Sequence, residues 1–390
     1  MARILFITTK PYYPWEGACH RTRHTLEALV TLGYPVDLLT PPTCHLPSQM
    51  GISVVPLRQG LLTRLLPKDS ECCQFLRDLR LLCNTLCLVG KNPYDLIHGV
   101  DTGGIIAWLT ARLTKIPYIF EQTTTCFEDD AKTSRHMLRT FYRTLTRKAL
   151  SQADAVIGNS TDVLDIATPL GRRSRTCVIP DIPAIAEAVS TPTFNLAQAR
   201  YRTSSNQKLV TCVGSYTQFQ GLDLFFNALP RLLTNHPNTR IVVVGGSERE
   251  ITRMRHALKD AGLDEVVCFP GRIPTSELAA LLAISNVLVS ARRAGTTPPI
   301  KVLDYLYSET PIVAIDTPAN RSILSSDNAI LTRPTPEDLA DGIIKVLRTS
   351  PRRCLELAKH GRTTLKQAQR TPEAFCSAIE RCYTYVLSTT

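Results

Sequence analysis

The chain has 390 residues, which is too long for one hydrophobic core and suits two or three domains of roughly 150 residues each. Hydrophobic residues make up 44% and charged residues 20%, the composition of an ordinary globular protein. With 45 Lys and Arg against 34 Asp and Glu, the net charge of +11 favours an anionic partner, whether a phosphate ligand, an acidic lipid or a nucleic acid.

The sequence also bears on membrane insertion, export and disulfides. It has no run of about 18 apolar residues, which excludes a membrane-spanning helix. The first apolar run, residues 4–7, is too brief for the core of a signal peptide, so we expect no export by that route. The 13 cysteines are scattered and odd in number, which favours buried reduced thiols over a complete disulfide framework.

The first half of the chain alternates strand and helix patterns. An apolar strand at 3–9 leads through a Pro- and Gly-containing loop into a helical pattern at 21–32, which Gly33 ends. The alternation continues through segments at 36–40, 52–57, 71–89, 95–100, 105–113, 116–123, 154–160 and 176–181. Such alternation predicts a mostly parallel sheet with helices on both faces.

The pattern lapses after residue 183 and restarts at 208. The second half then repeats the alternation, with segments at 208–214, 222–236, 240–246, 248–262, 266–271, 286–290, 301–308, 311–316 and 336–348. We expect a first domain over 1–183, an interdomain linker over 184–207 and a second domain over 208–365. Two doubly wound α/β domains would place a ligand cleft between two rows of strand carboxyl ends.

Three glycine-containing loops follow strands in this pattern. The first holds Gly17, the second runs from Gly214 to Gly221, and the third holds Gly245 and Gly246. Each loop alone is consistent with a plain tight turn. Glycines also let backbone N–H groups approach an anion at a helix N-terminus, and two such loops on successive strands favour a phosphate-binding rim.

A fourth loop, over 290–300, is the most specific. It contains two arginines, a glycine, two threonines and two prolines before a helix. Lys301 lies in the first turn of that helix, where the helix dipole disfavours a cation unless an anion binds at the same end. Asp304 follows on the same side of the helix. Arg292 and Arg293 fit either phosphate ligands or solvated loop residues.

Taken together, these segments resemble the GT-B glycosyltransferases, specifically the large retaining family 4. The resemblance covers nearly the whole chain, from ILFITTKPYYPWEGACHRTRHTLEALVTLGYPVDLLT through YDLIHGVDTGGIIAWLTARLTKIPYIFEQ and ADAVIGNSTDV. The strongest match is VVCFPGRIPTSELAALLAISNVLVS, which runs into GTTPPIKVLDYL and PIVA. The resemblance implies two Rossmann-like domains, a nucleotide-diphosphate sugar on the second, an acceptor on the first, and a helix at 366–390 that packs back on the first domain.

The resemblance also implies site residues. The two basic residues that bind the diphosphate in the family fall on Ser215 and Gln220, and the family's paired glutamates fall on Thr296 and Asp304. Asp304 keeps an acceptor for ribose hydroxyls, whereas Thr296 does not replace a carboxylate. The family's histidine near the sugar falls on Gln122.

Nearby cations are expected to compensate for the missing basic residues. The predicted catalytic residues are Lys301, Asp304 and Gln122. The predicted donor-binding residues are Gly17, Ser215, Gln220, Gly246, Arg272, Arg292, Arg293, Thr296, Thr297 and Asp304. No metal is expected. No cofactor is expected either, because the nucleotide-diphosphate sugar is itself a substrate.

The segment 132–148 carries a basic stripe at helical spacing and no acidic residue. Its members are Lys132, Arg135, Arg139, Arg143 and Arg147. Such a stripe suits an anionic membrane surface, although a basic face on an ordinary packed helix would have the same pattern.

We therefore expect a retaining glycosyltransferase that moves a sugar from a nucleotide-diphosphate sugar to a lipid-linked or glycan acceptor. The expected location is cytoplasmic, with peripheral attachment to the inner face of the cell membrane. The alternative is a catalytically degenerate GT-B protein that serves as a nucleotide-binding or partner subunit, which the replaced family residues favour. A nucleic-acid binder would rest on net charge alone, and the sequence has no aromatic-basic motif for it.

Overall fold

The computed structural model describes residues 1–9, 17–41, 51–56, 71–123, 136–161, 164, 175–185, 189–202, 204, 206–294 and 298–389. The chain divides into two units, one formed by 1–181 with 372–390 and the other by 182–371. No helix within these described ranges is both long enough and apolar enough to cross a bilayer.

The first unit is a parallel sheet of seven strands in the order β3-β2-β1-β4-β5-β6-β7. The strands are β1 (Ile4–Thr8), β2 (Val36–Thr40), β3 (Ser53–Pro56), β4 (Leu96–Val100), β5 (Tyr118–Gln122), β6 (Ala155–Gly158) and β7 (Arg175–Val178). The first helices are α1 (Gly17–Thr31), α2 (Glu71–Lys91), α3 (Thr102–Thr114) and α4 (His136–Gln152). All five residues of β1, β2, β4 and β5 are buried, as expected when helices cover both faces of a parallel sheet.

The second unit is a parallel sheet of six strands in the order β10-β9-β8-β11-β12-β13. These are β8 (Lys208–Val213), β9 (Thr239–Val244), β10 (Val267–Gly271), β11 (Val287–Ser290), β12 (Ile312–Ile315) and β13 (Ile330–Thr332). The helices are α5 (Thr191–Tyr201), α6 (Leu222–Asn235), α7 (Glu248–Lys259), α8 (Thr275–Ile284), α9 (Ile300–Tyr307), α10 (Pro318–Arg321), α11 (Pro336–Arg348) and α12 (Pro351–Gln367). The prediction of two doubly wound, Rossmann-like α/β units is confirmed.

In each sheet the strand order reverses beside the first strand of the unit. The reversal lies between β1 and β4 in the first unit and between β8 and β11 in the second. In open parallel sheets, ligands bind outside the carboxyl ends of the strands at such a switch point. The topology therefore directs attention to the loops that follow β1, β4, β8 and β11.

The last helix, α13 (Pro372–Thr389), belongs to the first unit. Phe375, Ile379 and Tyr383 are buried, and Tyr383 shares a hydrogen bond with Nδ1 of His98 on β4. The first unit resumes at residue 372, whereas the expected boundary is at 366. Residues 366–371 belong to the second unit. Arg362 of α12 fixes that helix to the second unit by donating to the Tyr307 carbonyl at 3.0 Å.

The stretch expected to be a linker, 184–207, contains α5 and belongs to the second unit. Ser190 caps the start of the helix by accepting a hydrogen bond from the Thr193 N–H. Only Ala197 and Tyr201 of the 11 helical residues are buried, so the apolar periodicity that reveals a helix in a sequence is weak here.

Gly221 brings the loop after β8 into contact with the loop after β11. It has φ of +69°, and a Cβ atom there would lie 2.1 Å from the backbone oxygen of Ala291. Both the left-handed conformation and the close approach of two backbones require glycine. Gly262 has a similar φ of +65° with no heavy atom within 4 Å of its would-be Cβ, which makes it a matched control.

We expect Gly221→Ala to destabilise the protein much more than Gly262→Ala. Both variants place a side chain in the left-handed region, at about 1–2 kcal/mol, whereas only Gly221→Ala also forces two packed loops apart, at about 1–3 kcal/mol more. Urea unfolding of the two variants and the parent measures the difference. Equal losses of stability would show that the close approach of Ala291 does not require glycine at position 221.

Candidate functional site

Backbone contacts join the loops at the carboxyl ends of β8, β9 and β10. The Gly214 N–H donates to the Val244 oxygen at 3.0 Å, and the Gly245 N–H donates to the Gly271 oxygen at 2.8 Å. Gly245 has φ of +113°, and a Cβ atom there would lie 2.1 Å from the Gly214 oxygen. Glycine is therefore required for these loops to form one continuous edge.

The side chain of Lys301 reaches this edge from the first turn of α9. Its Nζ atom donates to Oε1 of Gln220 at 2.8 Å, and a Cβ atom on Gly214 would lie 3.1 Å from the same nitrogen. Within the described residues, Lys301 forms no salt bridge with a carboxylate. Burial lowers the pKa of Lys301, and the positive charge of Arg292 lowers it further. The ammonium group is thus partly buried beside a second cation.

The two arginines of the loop after β11 differ in their contacts. The Arg293 guanidinium donates to Oδ2 of Asp223 at 2.8 Å in an exposed ion pair. The Arg292 guanidinium lies 5.6 Å from the centre of the exposed Phe219 ring, and its Nε donates to the Ala294 oxygen. Arg292 is the arginine whose charge acts on Lys301, whereas Arg293 is neutralised by Asp223.

The other donor-binding candidates of the second unit lie in loops after its strands. Ser215 is exposed after β8, with its hydroxyl 3.1 Å from that of Thr217. Gly246 follows β9, and Arg272 is exposed after β10. The structure therefore brings Ser215, Gln220, Gly246, Arg272, Arg292 and Lys301 to the same edge of one sheet. Thr296 and Thr297 lie outside the described residues.

Asp304 bonds to the protein's own backbone. It is only 4% exposed, and its Oδ1 accepts hydrogen bonds from the backbone N–H groups of Ala184 at 2.6 Å and Ile185 at 3.2 Å. The oxygen expected to accept from ribose hydroxyls is thus bonded to the protein's own backbone. A ribose hydroxyl would therefore have to compete with these two N–H groups for Oδ1 or bind the other carboxylate oxygen, Oδ2.

The remaining candidates, Gly17 and Gln122, lie in the first unit. Gly17 is the first residue of α1, in the loop after β1, and Gln122 is the last residue of β5 and fully buried. As in the second unit, both candidates lie at or beyond the carboxyl end of a strand.

A buried ionic network that the sequence analysis missed lies in the first unit. Arg21 donates through Nε to Glu121 and through Nη1 to Asp181 at 2.9 Å. The other Glu121 oxygen is 2.8 Å from Nε2 of His98, whose Nδ1 bonds to Tyr383. Burial would raise the pKa of Glu121, but the charge of Arg21 and the bond with His98 lower it to about 2. A signal was present, because Glu121 and His98 interrupt otherwise apolar strands.

Asp101 marks a second feature that the sequence did not reveal. It follows β4 with φ of 50° and ψ of −117°, a conformation that is unusual for a residue other than glycine. Its carboxylate accepts from the Thr123 N–H at 2.9 Å and from the Thr123 hydroxyl at 2.8 Å. Strained backbone of this kind concentrates at functional sites, so Asp101 and Thr123 extend the candidate edge of the first unit.

The comparisons with known proteins agree with this architecture. Residues 16–181 match the family described as "Glycosyl transferase 4-like domain", and residues 195–364 match "Glycosyl transferases group 1". The chain belongs to the family 4-like glycosyltransferases. The resemblance found in the sequence is thereby confirmed.

One relative of this glycosyltransferase is the GDP-mannose-dependent alpha-(1-6)-phosphatidylinositol monomannoside mannosyltransferase of Mycolicibacterium smegmatis. It is 28% identical over 176 residues, which cover 43% of this chain and 46% of the relative. The chain spans about half the length of the curated relatives it matches.

Solved structures agree on the GT-B fold of this glycosyltransferase. Sucrose-phosphate synthase from Thermosynechococcus elongatus has a TM-score of 0.81 at 19% identity, with 100% of both chains covered. Anabaena HepE in complex with UDP-glucose has a TM-score of 0.74 at 15% identity, with 98% of this chain and 100% of that chain covered. At these identities the likeness establishes the fold alone.

Two buried histidines on α1 of the glycosyltransferase make its stability depend on pH. Burial, followed by the charge of Arg23, lowers the pKa of His20 to about 4 and that of His24 to about 3. Both are therefore neutral in the folded protein at neutral pH, while the unfolded chain binds protons near pH 6.5. Their stabilising contribution is complete above about pH 6.5 and declines as the pH falls toward the folded pKa values.

We expect His24→Gln to weaken this dependence on pH. Between pH 7 and pH 5 the parent should lose about 2 kcal/mol more stability than the variant, since one proton taken up by the unfolded state costs about 1.4 kcal/mol per pH unit below 6.5. Urea unfolding at the two pH values measures this, with the exposed His256→Gln as control. Parallel losses in parent and both variants would contradict the assignment of His24 as a buried neutral group.

Proposed function

We propose that the chain transfers a sugar from a nucleotide-diphosphate sugar and binds the diphosphate at the second-unit edge around Gln220 and Lys301. The observation that carries the proposal is the position of the Lys301 ammonium group. It lies 2.8 Å from Gln220, which occupies the place of a diphosphate-binding basic residue in the resembling family. The cation absent at position 220 is thus supplied from position 301.

Electrostatics supports this assignment. A cation removed from water without an acidic partner is costly, and a bound diphosphate would offset that cost by supplying the missing negative charge. Arg292 adds a second positive charge near Lys301, and the N-termini of α6 and α9 add partial positive charges. Four sources of positive potential, two side chains and two helix N-termini, therefore favour a dianionic group at this edge.

The same charges would act in the reaction. Transfer breaks the bond between the sugar and the diphosphate, so negative charge develops on the leaving diphosphate. Lys301 and Arg292 would stabilise that charge, and such stabilisation is commonly the largest catalytic contribution. We propose a retaining course, in which the leaving diphosphate accepts the acceptor's proton on the same face of the sugar and no protein nucleophile is needed.

The proposed acceptor is a lipid-linked or glycan molecule at the cytosolic membrane face, and a surface of α2 and α4 supports it. Helix α4 contains no acidic residue and exposes Arg143, Arg147 and Lys148. Lys132 and Arg135 lie outside the described residues, as does the side chain of Arg139. The described part of the basic stripe is therefore solvent-facing.

Helix α2 adds an exposed apolar row to this surface. The row consists of Phe75, Leu79, Cys83 and Cys87, spaced four residues apart. The Tyr142 hydroxyl of α4 bonds to Asp78 of α2, which ties the two helices together. An exposed apolar row together with exposed cations is complementary to an anionic bilayer, whose headgroups attract the cations and whose acyl boundary accepts apolar side chains. A second copy of this basic surface would instead be repelled.

A catalytically degenerate protein that serves as a nucleotide-binding or partner subunit is the second candidate function. Ser215 and Gln220 favour it, because neither carries the charge found at those positions in the family. Donor turnover distinguishes the two candidates, because only the first transfers the sugar. GDP-mannose, named for one relative, and UDP-glucose, bound to one structural neighbour, are the first donors to test.

We expect Lys301→Ala to weaken nucleoside diphosphate binding by about 10- to 150-fold, since a charge-assisted hydrogen bond contributes roughly 1.5–3 kcal/mol. Binding of the corresponding nucleoside should change little because it has no diphosphate. Calorimetric titration measures the affinity for both ligands in the parent, in Lys301→Ala and in the exposed-lysine control Lys345→Ala.

Two results would contradict the proposal. Equal diphosphate affinity in Lys301→Ala and the parent would show that Lys301 is not the diphosphate-binding cation. A parent that binds no nucleotide at all would leave the partner-subunit function in place of transfer.

We expect Arg143→Ser with Arg147→Ser to weaken binding to phosphatidylglycerol-containing vesicles by about 1 kcal/mol per charge removed. Leu79→Ser should weaken binding as well, without reducing its salt dependence. Co-sedimentation with these vesicles and with pure phosphatidylcholine vesicles measures the effect, and Arg352→Ser on α12 is the control. Unchanged binding of the double variant would show that the stripe is only a solvated face.

A further inference from the structure

The chain enters the second unit through a short buried segment, the entry segment, which comprises residues 182–185. Asp181 is the last residue of the first unit, and Ile182, Ala184 and Ile185 are buried immediately after it. Buried backbone N–H groups need acceptors, and this segment lies outside the strands and helices that would provide them. The Asp304 carboxylate supplies the acceptor for two consecutive N–H groups, those of Ala184 and Ile185.

A carboxylate suits this position for energetic reasons. Hydrogen bonds from N–H groups to a charged oxygen are roughly twice as strong as those to a neutral oxygen. A buried carboxylate is in turn tolerated only when such bonds compensate for its lost hydration. Asp304 and the entry segment therefore stabilise each other, and breaking the contact would remove the hydrogen bonds that Oδ1 accepts from the two N–H groups.

The helix that carries Asp304 is also tied to the proposed diphosphate site. The neighbouring Tyr305 hydroxyl accepts from the Val213 N–H at 2.9 Å and donates to the Val289 oxygen at 3.2 Å, which fixes α9 to the ends of β8 and β11. Lys301 lies one turn earlier on the same eight-residue helix. One short helix thus joins the entry segment, two strand ends and the proposed diphosphate-binding cation.

We propose that Asp304 is a positioning residue that fastens the entry segment to α9, and thereby holds Lys301 at the diphosphate site, without binding the donor's ribose. This inference rests on the proposed function for its effect on donor binding. The hydrogen bonds to Ala184 and Ile185 join groups within the protein, which permits a measurement that does not depend on ligand binding.

The experiment compares a nucleoside diphosphate with its 2′,3′-dideoxy analogue in the parent, Asp304→Ala and Asp304→Asn. We use the diphosphate, among UDP, GDP and ADP, that the parent binds most tightly. Asp304→Ala should weaken both ligands by the same factor, about 2- to 30-fold, as expected for a residue that acts through another. The loss of affinity should be smaller in Asp304→Asn, because the asparagine side chain keeps an acceptor oxygen. Asp338→Asn, which alters a carboxylate on α11, is the control.

Hydrogen exchange of the ligand-free protein provides the second measurement. The amides of residues 184 and 185 should exchange faster in Asp304→Ala than in the parent and in the control. If Asp304→Ala does not fold, Asp304→Asn is used for both measurements, with smaller changes in the same directions.

The outcomes separate the two proposals. Loss of discrimination between ribose and dideoxyribose in Asp304→Ala would make Asp304 a ribose ligand and overturn the inference. Unchanged exchange at 184 and 185 would overturn it as well. If the parent binds no nucleoside diphosphate, the proposed function fails, while the exchange rates still decide whether Asp304 fastens the entry segment.

Discussion

Burial of both faces of each parallel sheet is the constraint on which the arrangement of polar groups depends. The central strands of the two units are buried along their length, so charged side chains gather mainly where those strands end. Glu121 and Gln122 occupy such an end in the first unit. In the second unit the ends of β8, β9 and β11 carry the glycine loops, Gln220 and the loop with Arg292. The chemistry of both units follows from this geometry.

The two sets of charges are balanced in opposite ways. In the first unit the Arg21 guanidinium is enclosed by the carboxylates of Glu121 and Asp181, so its charge is already satisfied by the fold. In the second unit Lys301 meets an amide oxygen and the charge of Arg292. A buried cation paired with carboxylates maintains structure, whereas a cation held by a neutral amide oxygen would gain electrostatic stabilisation from a bound anion. This contrast is the physical basis for assigning the diphosphate to the second unit.

The departures from the family pattern are related to each other. Replacement of a basic residue by Gln220 removes a charge from the loop after β8, and Lys301 restores a charge at the same place from α9. Asp304, on the same helix, then bonds to the backbone at 184 and 185. The two departures are therefore linked by one short helix, which carries Asp304 and whose Lys301 contacts Gln220.

The sequence by itself determined the alternation of strands and helices, the two Rossmann-like units and the loops that hold the candidate residues. Those features depend on local apolar periodicity and on glycines at strand ends, which are visible along the chain. Only the tertiary structure decided which polar groups meet. It paired Arg21 with Glu121, 100 residues away, and Asp304 with the backbone of Ala184, 120 residues away. It also identified α5 in the expected linker, because two buried side chains leave too weak a pattern in the sequence.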